Sequence, residues 1–99
     1  LTKFPNRIKL FWDIEENHAN KSKHLALLNI DRFKDINDFY GHDAADLILI
    51  DISKKLSIKA KKINAFFYKL PSDEFAIYCT TKMDNVTFYK FVQNIITYL

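Results

Sequence analysis

Ninety-nine residues allow one domain with a single core, and 48% apolar with 27% charged residues is ordinary for a globular chain. No apolar run approaches the ~20 residues of a membrane-spanning helix, and the opening residues lack a signal peptide's apolar stretch. The net charge of +3 comes from scattered lysines, which argues against nucleic acid as a partner.

Pro5 is followed by Ile8, Leu10, Phe11, Trp12 and Ile14, a helical stripe with proline near its first turn. Asn17 to Lys23 is polar and reads as a loop. His24 to Ile30 is a short apolar run of the kind found in a strand buried on both faces. Arg32 to Tyr40 reads as a short helix closed by Gly41, the chain's single glycine, in a left-handed cap. Asp43 to about Ala60 repeats Ala45, Ile48, Leu49, Ile52 and Leu56 at helical spacing, with Asp43 and Asp46 as a capping-box-like pair.

The lysines from Lys54 to Lys62 gather around that helix's C-terminus, where cations favourably meet the dipole. Ala65 to Leu70 and Phe75 to Thr80 form a hairpin around a Pro-Ser-Asp turn. Asp84 opens a last helix with Phe88, Phe91, Val92, Ile95 and Ile96 on one side. This order makes most of an α+β, ferredoxin-like unit with helices packed on an antiparallel sheet. The first strand is expected at an open sheet edge, which invites pairing with another chain.

A lone cysteine, Cys79, excludes an internal disulfide, suits a reducing cytoplasm and reads as a small buried filler. His18, His24 and His42 lack metal-ligand spacing and are expected at the surface or in caps. With one glycine there is no Gly-rich phosphate loop, and no serine or cysteine sits in a nucleophile context. Leu1 is not a start methionine, so the chain is expected to be a piece of a longer protein.

Two acid-rich breaks follow apolar runs: LLNIDRFKDINDFYGHDAAD, ending at Asp46, and PSDEF at Pro71–Phe75. Together with LTKFPNR at Leu1–Arg7 and YKLPSDEFAIY at Tyr68–Tyr78, they closely resemble the GGDEF family of diguanylate cyclase domains. The resemblance covers nearly the whole chain. It implies a nucleotidyl-cyclase-type sheet, C-terminally truncated here because the family has a further strand beside the first. It also implies a site where two facing domains join two GTP into cyclic di-GMP with Mg²⁺.

Matched position by position, the resemblance makes Asp73 and Glu74 the hairpin carboxylates for catalysis. Asn29, Ile30 and Asp73 fall at the metal positions, Asn37 and Asp46 at the guanine-binding positions, and Phe33 and Lys34 in the turn near the phosphates.

Three departures stand out. Asn29 replaces a metal-binding aspartate, and losing a full charge weakens the hold on a divalent cation. Pro71 and Ser72 replace two glycines, and proline removes an N–H that could donate to a phosphate oxygen. Asp31 offers an alternative metal ligand if the strand runs that far, or else a plain N-cap for the following helix.

The expectation is therefore a degenerate GGDEF module, cytoplasmic and non-catalytic. It would bind GTP weakly or not at all, with Mg²⁺ accompanying any bound nucleotide. Expected partners are a neighbouring sensor or phosphodiesterase domain of the parent chain, or a second copy in a homodimer. The alternatives are an active cyclase using Asp31, Asp73 and Glu74, and a ligand-free dimerisation scaffold.

Overall fold

The computed structural model describes residues 4–20 and 22–97. Seven elements follow one another: α1 (Arg7–Glu16), β1 (His24–Asn29), α2 (Phe33–Tyr40), α3 (His42–Lys62), β2 (Phe66–Lys69), β3 (Glu74–Cys79) and α4 (Asn85–Thr97). The strands form one antiparallel sheet in the order β1-β3-β2, with β3 central. The α+β class expected from the element order is the one observed.

The central strand explains how the layers assemble. On β3, Phe75, Ile77 and Cys79 face one way, into a core shared with Leu49, Leu56 and Ala60 of α3 and Phe88 and Ile95 of α4. Ala76 and Tyr78 face the other way, against Leu10 of α1 and Tyr68 of β2. Burying both faces of one strand is what its unbroken apolar run requires. Cys79 is fully buried and free, as its setting suggests.

β1 departs from the expectation of two buried faces. Ala26 and Leu28 pack on the main core, whereas Leu25 and Leu27 are 44% and 68% exposed. The reason is placement, because α1 lies over β2 and reaches the sheet away from β1. The stripe expected on α1 is likewise narrower than its sequence suggests. Only Leu10 and Asp13 are buried, while Ile8, Phe11 and Trp12 face outward.

Helix ends bring further corrections. Asn6 caps α1, its side chain accepting from the amides of Ile8 and Lys9 at 3.1 and 3.2 Å. The Asp43–Asp46 capping box does not form, and no side chain caps α3. Gly41 serves both helices, with φ 91° and ψ 165°, an extended positive-φ conformation rather than the left-handed helical one expected.

At the other end of α3, Asn64 takes φ 58°, and the amides of Asn64 and Ala65 return to the carbonyls of Lys61 and Ala60. That is a Schellman closure, with Lys59, Lys61 and Lys62 in the last helical turn. His24 is half-buried rather than fully at the surface. It stacks on Phe88 at 5.0 Å, and its Nε2 lies 2.5 Å from the Met83 carbonyl oxygen. Leu1–Lys3 of the opening motif and Lys21 of the expected loop lie outside the described residues. No helix among the described residues is long and apolar enough to cross a membrane.

Candidate functional site

The hairpin and the end of β1 come together by strand pairing. Register places Asn29 opposite Glu74, so the two side chains share one face of the sheet. One step further, the Ile30 amide donates to the Asp73 carbonyl at 3.1 Å. Asn29, Ile30, Asp73 and Glu74 therefore belong to one corner. Asp31 does not extend it, because β1 ends at Asn29 and Asp31 stands exposed in the following turn. Nor does Asp31 cap α2. The cap position is Arg32, at φ 58°, with no side-chain capping bond. The Arg32 guanidinium instead pairs with Asp35 at 2.8 Å.

The remaining candidates lie on α2 and α3. Phe33 packs half-buried against the main core, which fixes the start of α2. Lys34 projects outward, 3.9 Å from Asp38. Asn37 is half-buried, and its carbonyl accepts the Gly41 amide at 2.9 Å. Asp46, exposed on the second turn of α3, lines an open cavity of ≈ 450 Å³. The same cavity is lined by the hairpin from Lys69 to Ser72, by Asn6 with Arg7 and Ile8 at the start of α1, and by Leu49 and Ile50 of α3. Asp46 thus sits beside the hairpin tip, whereas Asn37, Phe33 and Lys34 do not line this cavity.

The hairpin tip is held from within. Ser72 takes φ 63°, the left-handed region in which a glycine would be unstrained. The Lys69 ammonium donates to the Leu70 carbonyl and, at 2.6 Å, to that of Ser72, and it lies 5.3 Å from the centre of the Phe75 ring. Burial pushes the Lys69 pKa down, while the charges of Asp73 and Glu74 act the other way. Lys69 and the α1 residues of the cavity are missed by a motif-based reading. The one available signal is a cation directly preceding a turn whose carbonyls need partners.

Among the described residues, no three His, Cys, Asp or Glu side chains converge into a group able to hold a metal. Asp73, Glu74 and the Asn29 amide are oxygen donors too few to cage a hard cation. They suit Mg²⁺ only where phosphate oxygens and water complete its shell.

The sequence model described as "Diguanylate cyclase, GGDEF domain" matches residues 1–98. Diguanylate cyclase DgcP of Escherichia coli K12 is 32% identical over 82 residues, covering 78% of this chain and 24% of DgcP. Among solved structures, a diguanylate cyclase/phosphodiesterase from Caldicellulosiruptor saccharolyticus has TM-score 0.82 at 26% identity, covering 97% of this chain and 57% of that one. The GGDEF domain of DgcB from Caulobacter crescentus, solved with c-di-GMP, has TM-score 0.85 at 22% identity, covering 95% of this chain and 57% of that one. The chain spans about a quarter of DgcP's length and just over half of each solved chain. With the family match running almost end to end over a GGDEF fold, the chain belongs to the diguanylate cyclase GGDEF family of cyclic-di-GMP signalling.

Proposed function

We propose that these residues form a single degenerate GGDEF domain, a regulatory module that binds a guanine nucleotide weakly and does not make cyclic di-GMP. The observation that carries this reading is the hairpin tip beside Asp46. Pro71 offers no amide there, and Lys69 already engages the carbonyls of Leu70 and Ser72. With Pro71 and Ser72 in place of the family's two glycines, the tip has fewer donors for a phosphate.

In this reading Asp46 accepts from the guanine N–H groups, and Asn37 supplies an amide to the base. Phe33 holds the α2 turn in place, and Lys34 contributes a mobile cation to the phosphates. Mg²⁺ would arrive with the nucleotide and be held by Asp73, Glu74, the Asn29 side-chain oxygen and the Ile30 carbonyl. Its chemistry in the family is to polarise a phosphoryl oxygen. With Asn29 neutral, the protein's share of the charge opposite the cation is one carboxylate short of the family's complement. The module would act on the cytoplasmic side, through a neighbouring sensor or phosphodiesterase domain or a second copy.

Incubation of the full-length protein with GTP and Mg²⁺, followed by chromatography, tests this directly. The expected result is no linear or cyclic dinucleotide. Calorimetric titration with GTP and Mg²⁺ should show weak binding that Asp46→Ala abolishes. Dinucleotide product would overturn the non-catalytic reading, and unchanged binding in Asp46→Ala would overturn the base site.

A further inference from the structure

We propose that Asp13 and Tyr68 are positioning residues, a latch that seats α1 on the sheet and thereby fixes one wall of the Asp46 cavity. The cavity consequence rests on the nucleotide reading above, whereas the latch itself stands on geometry alone.

α1 has little else to hold it. Ten residues make a helix that is marginal in isolation, and this one buries only Leu10 and Asp13, with Ile14 half-buried. Its larger apolar side chains, Ile8, Phe11 and Trp12, are all more than 60% exposed. The seat therefore depends on few contacts, and a charged one is central. The carboxylate of Asp13, whose side chain is 12% exposed, accepts from the Tyr68 hydroxyl at 2.5 Å and from the Lys9 ammonium at 2.9 Å. Lys9 rides on the same helix and cannot fasten it to anything. Tyr68 crosses from helix to sheet, and its bond to a charged acceptor is of the strong kind.

A second bond completes the device. The Lys69 amide donates to the Pro5 carbonyl at 2.7 Å. Two successive residues of β2 thus hold Asp13 within α1 and Pro5 in the segment leading into it. Immediately beyond this grip, Lys69 and Leu70 line the cavity together with the cap residue Asn6 and Arg7 of α1. The seat of the helix and the width of the cavity are thus set by the same strand. Tyr78 lies on the same face, with its hydroxyl buried and unpartnered. Its phenol feels the Asp13 charge, so the double variant below is informative.

Hydrogen exchange by mass spectrometry on the full chain tests the latch, with Tyr68→Phe, Asp13→Asn and the pair. Tyr68→Phe should speed exchange of the α1 amides by about ten- to a hundredfold, the worth of a hydrogen bond to a charged group. The β3 amides should keep their protection. The effect of the double variant should fall well short of the two single effects added together. Equal loss in α1 and β3, or none in α1, would overturn the latch.

Titration with GTP and Mg²⁺ gives a second readout. The Tyr68→Phe variant should bind more weakly by the factor that its loss of seated α1, read from the exchange data, dictates, because only the seated fraction presents the wall. Affinity unchanged while exchange shows α1 largely unseated would overturn the link to the cavity. If the unmodified chain binds no GTP, the nucleotide reading falls and the link with it, while the α1/β3 contrast still decides the latch.

Discussion

The amide of Ile30 donates to the carbonyl of Asp73 at 3.1 Å, one step beyond the last residue of β1. This bond pins the hairpin tip to the strand terminus and sets Asn29 against Glu74. Asn29→Asp would place two carboxylates directly opposite each other, a like-charge pair that costs about 0.2–1 kcal/mol. Without ligand the variant should unfold at lower urea concentration than the parent. With GTP and Mg²⁺ present it should bind the nucleotide more tightly. Unchanged affinity in calorimetry would remove Asn29 from the metal position.

Ser72 offers a second test. A serine in the left-handed region pays a steric penalty of roughly 1–2 kcal/mol, partly offset by the entropy that glycine loses on folding. Ser72→Gly should stabilise the fold by about 0.5 kcal/mol. It should not restore cyclase activity alone, since Pro71 still lacks its amide. Urea titration and a product assay read the two parts separately.

Gly41 should behave in the opposite way. A Cβ placed there meets nothing within 4 Å, so any effect of Gly41→Ala comes from the backbone alone. Its combination of positive φ and extended ψ is nearly closed to other residues, and holding alanine in it should cost about 1–3 kcal/mol. A loss well under 0.5 kcal/mol would mean that α2 and α3 can join through another turn.

The Asp13–Tyr68 pair predicts a stability plateau with two edges. Burial pushes the Asp13 carboxyl up, but hydrogen bonds from Tyr68 and Lys9 and the Lys9 charge outweigh it and hold its pKa below the ordinary value. Its contribution is complete above the unfolded pKa of about 4 and fades as pH falls through the lower folded value. Asp84 is shifted the same way by the Thr87 amide and shares this acid limb.

Burial, reinforced by the bond to Asp13, raises the Tyr68 phenol. Its contribution is complete below the unfolded pKa of about 10 and fades as pH climbs toward the folded value. Tyr78 is raised by burial as well. Tyr68→Phe should therefore shrink the alkaline limb without abolishing it, as read by urea unfolding from pH 3 to 11. An unaltered limb would mean that the Tyr68 phenol is not held by the fold.

Local signals made most of the fold legible. The hairpin and α3 announce themselves through aromatic runs, a Pro-Ser-Asp turn and helical spacing, and both are found within two residues of their expected bounds. β1 exceeds what its own sequence can say. HLALLN is apolar almost throughout, and which face is covered depends on where α1 settles.

The fate of Asp31 was similarly closed to sequence reading. Whether it ligates or caps depends on where β1 stops and on the left-handed Arg32. Asp13 is the clearest case. An acid within an amphipathic helix reads as solvent-facing, and its partner lies 55 residues away on another element. Contacts of that separation leave no periodic trace.

The outer side of β1 has a practical consequence for handling the polypeptide. HLALLN carries no lysine, glutamate or proline to blunt it, and Leu25 and Leu27 stand exposed on a strand that lies at the sheet edge among the described residues. Colloidal behaviour should reflect this, with light scattering from the 99-residue polypeptide climbing steeply as the solution is concentrated. A single Leu27→Lys gatekeeper should flatten that climb while leaving the circular dichroism spectrum unchanged.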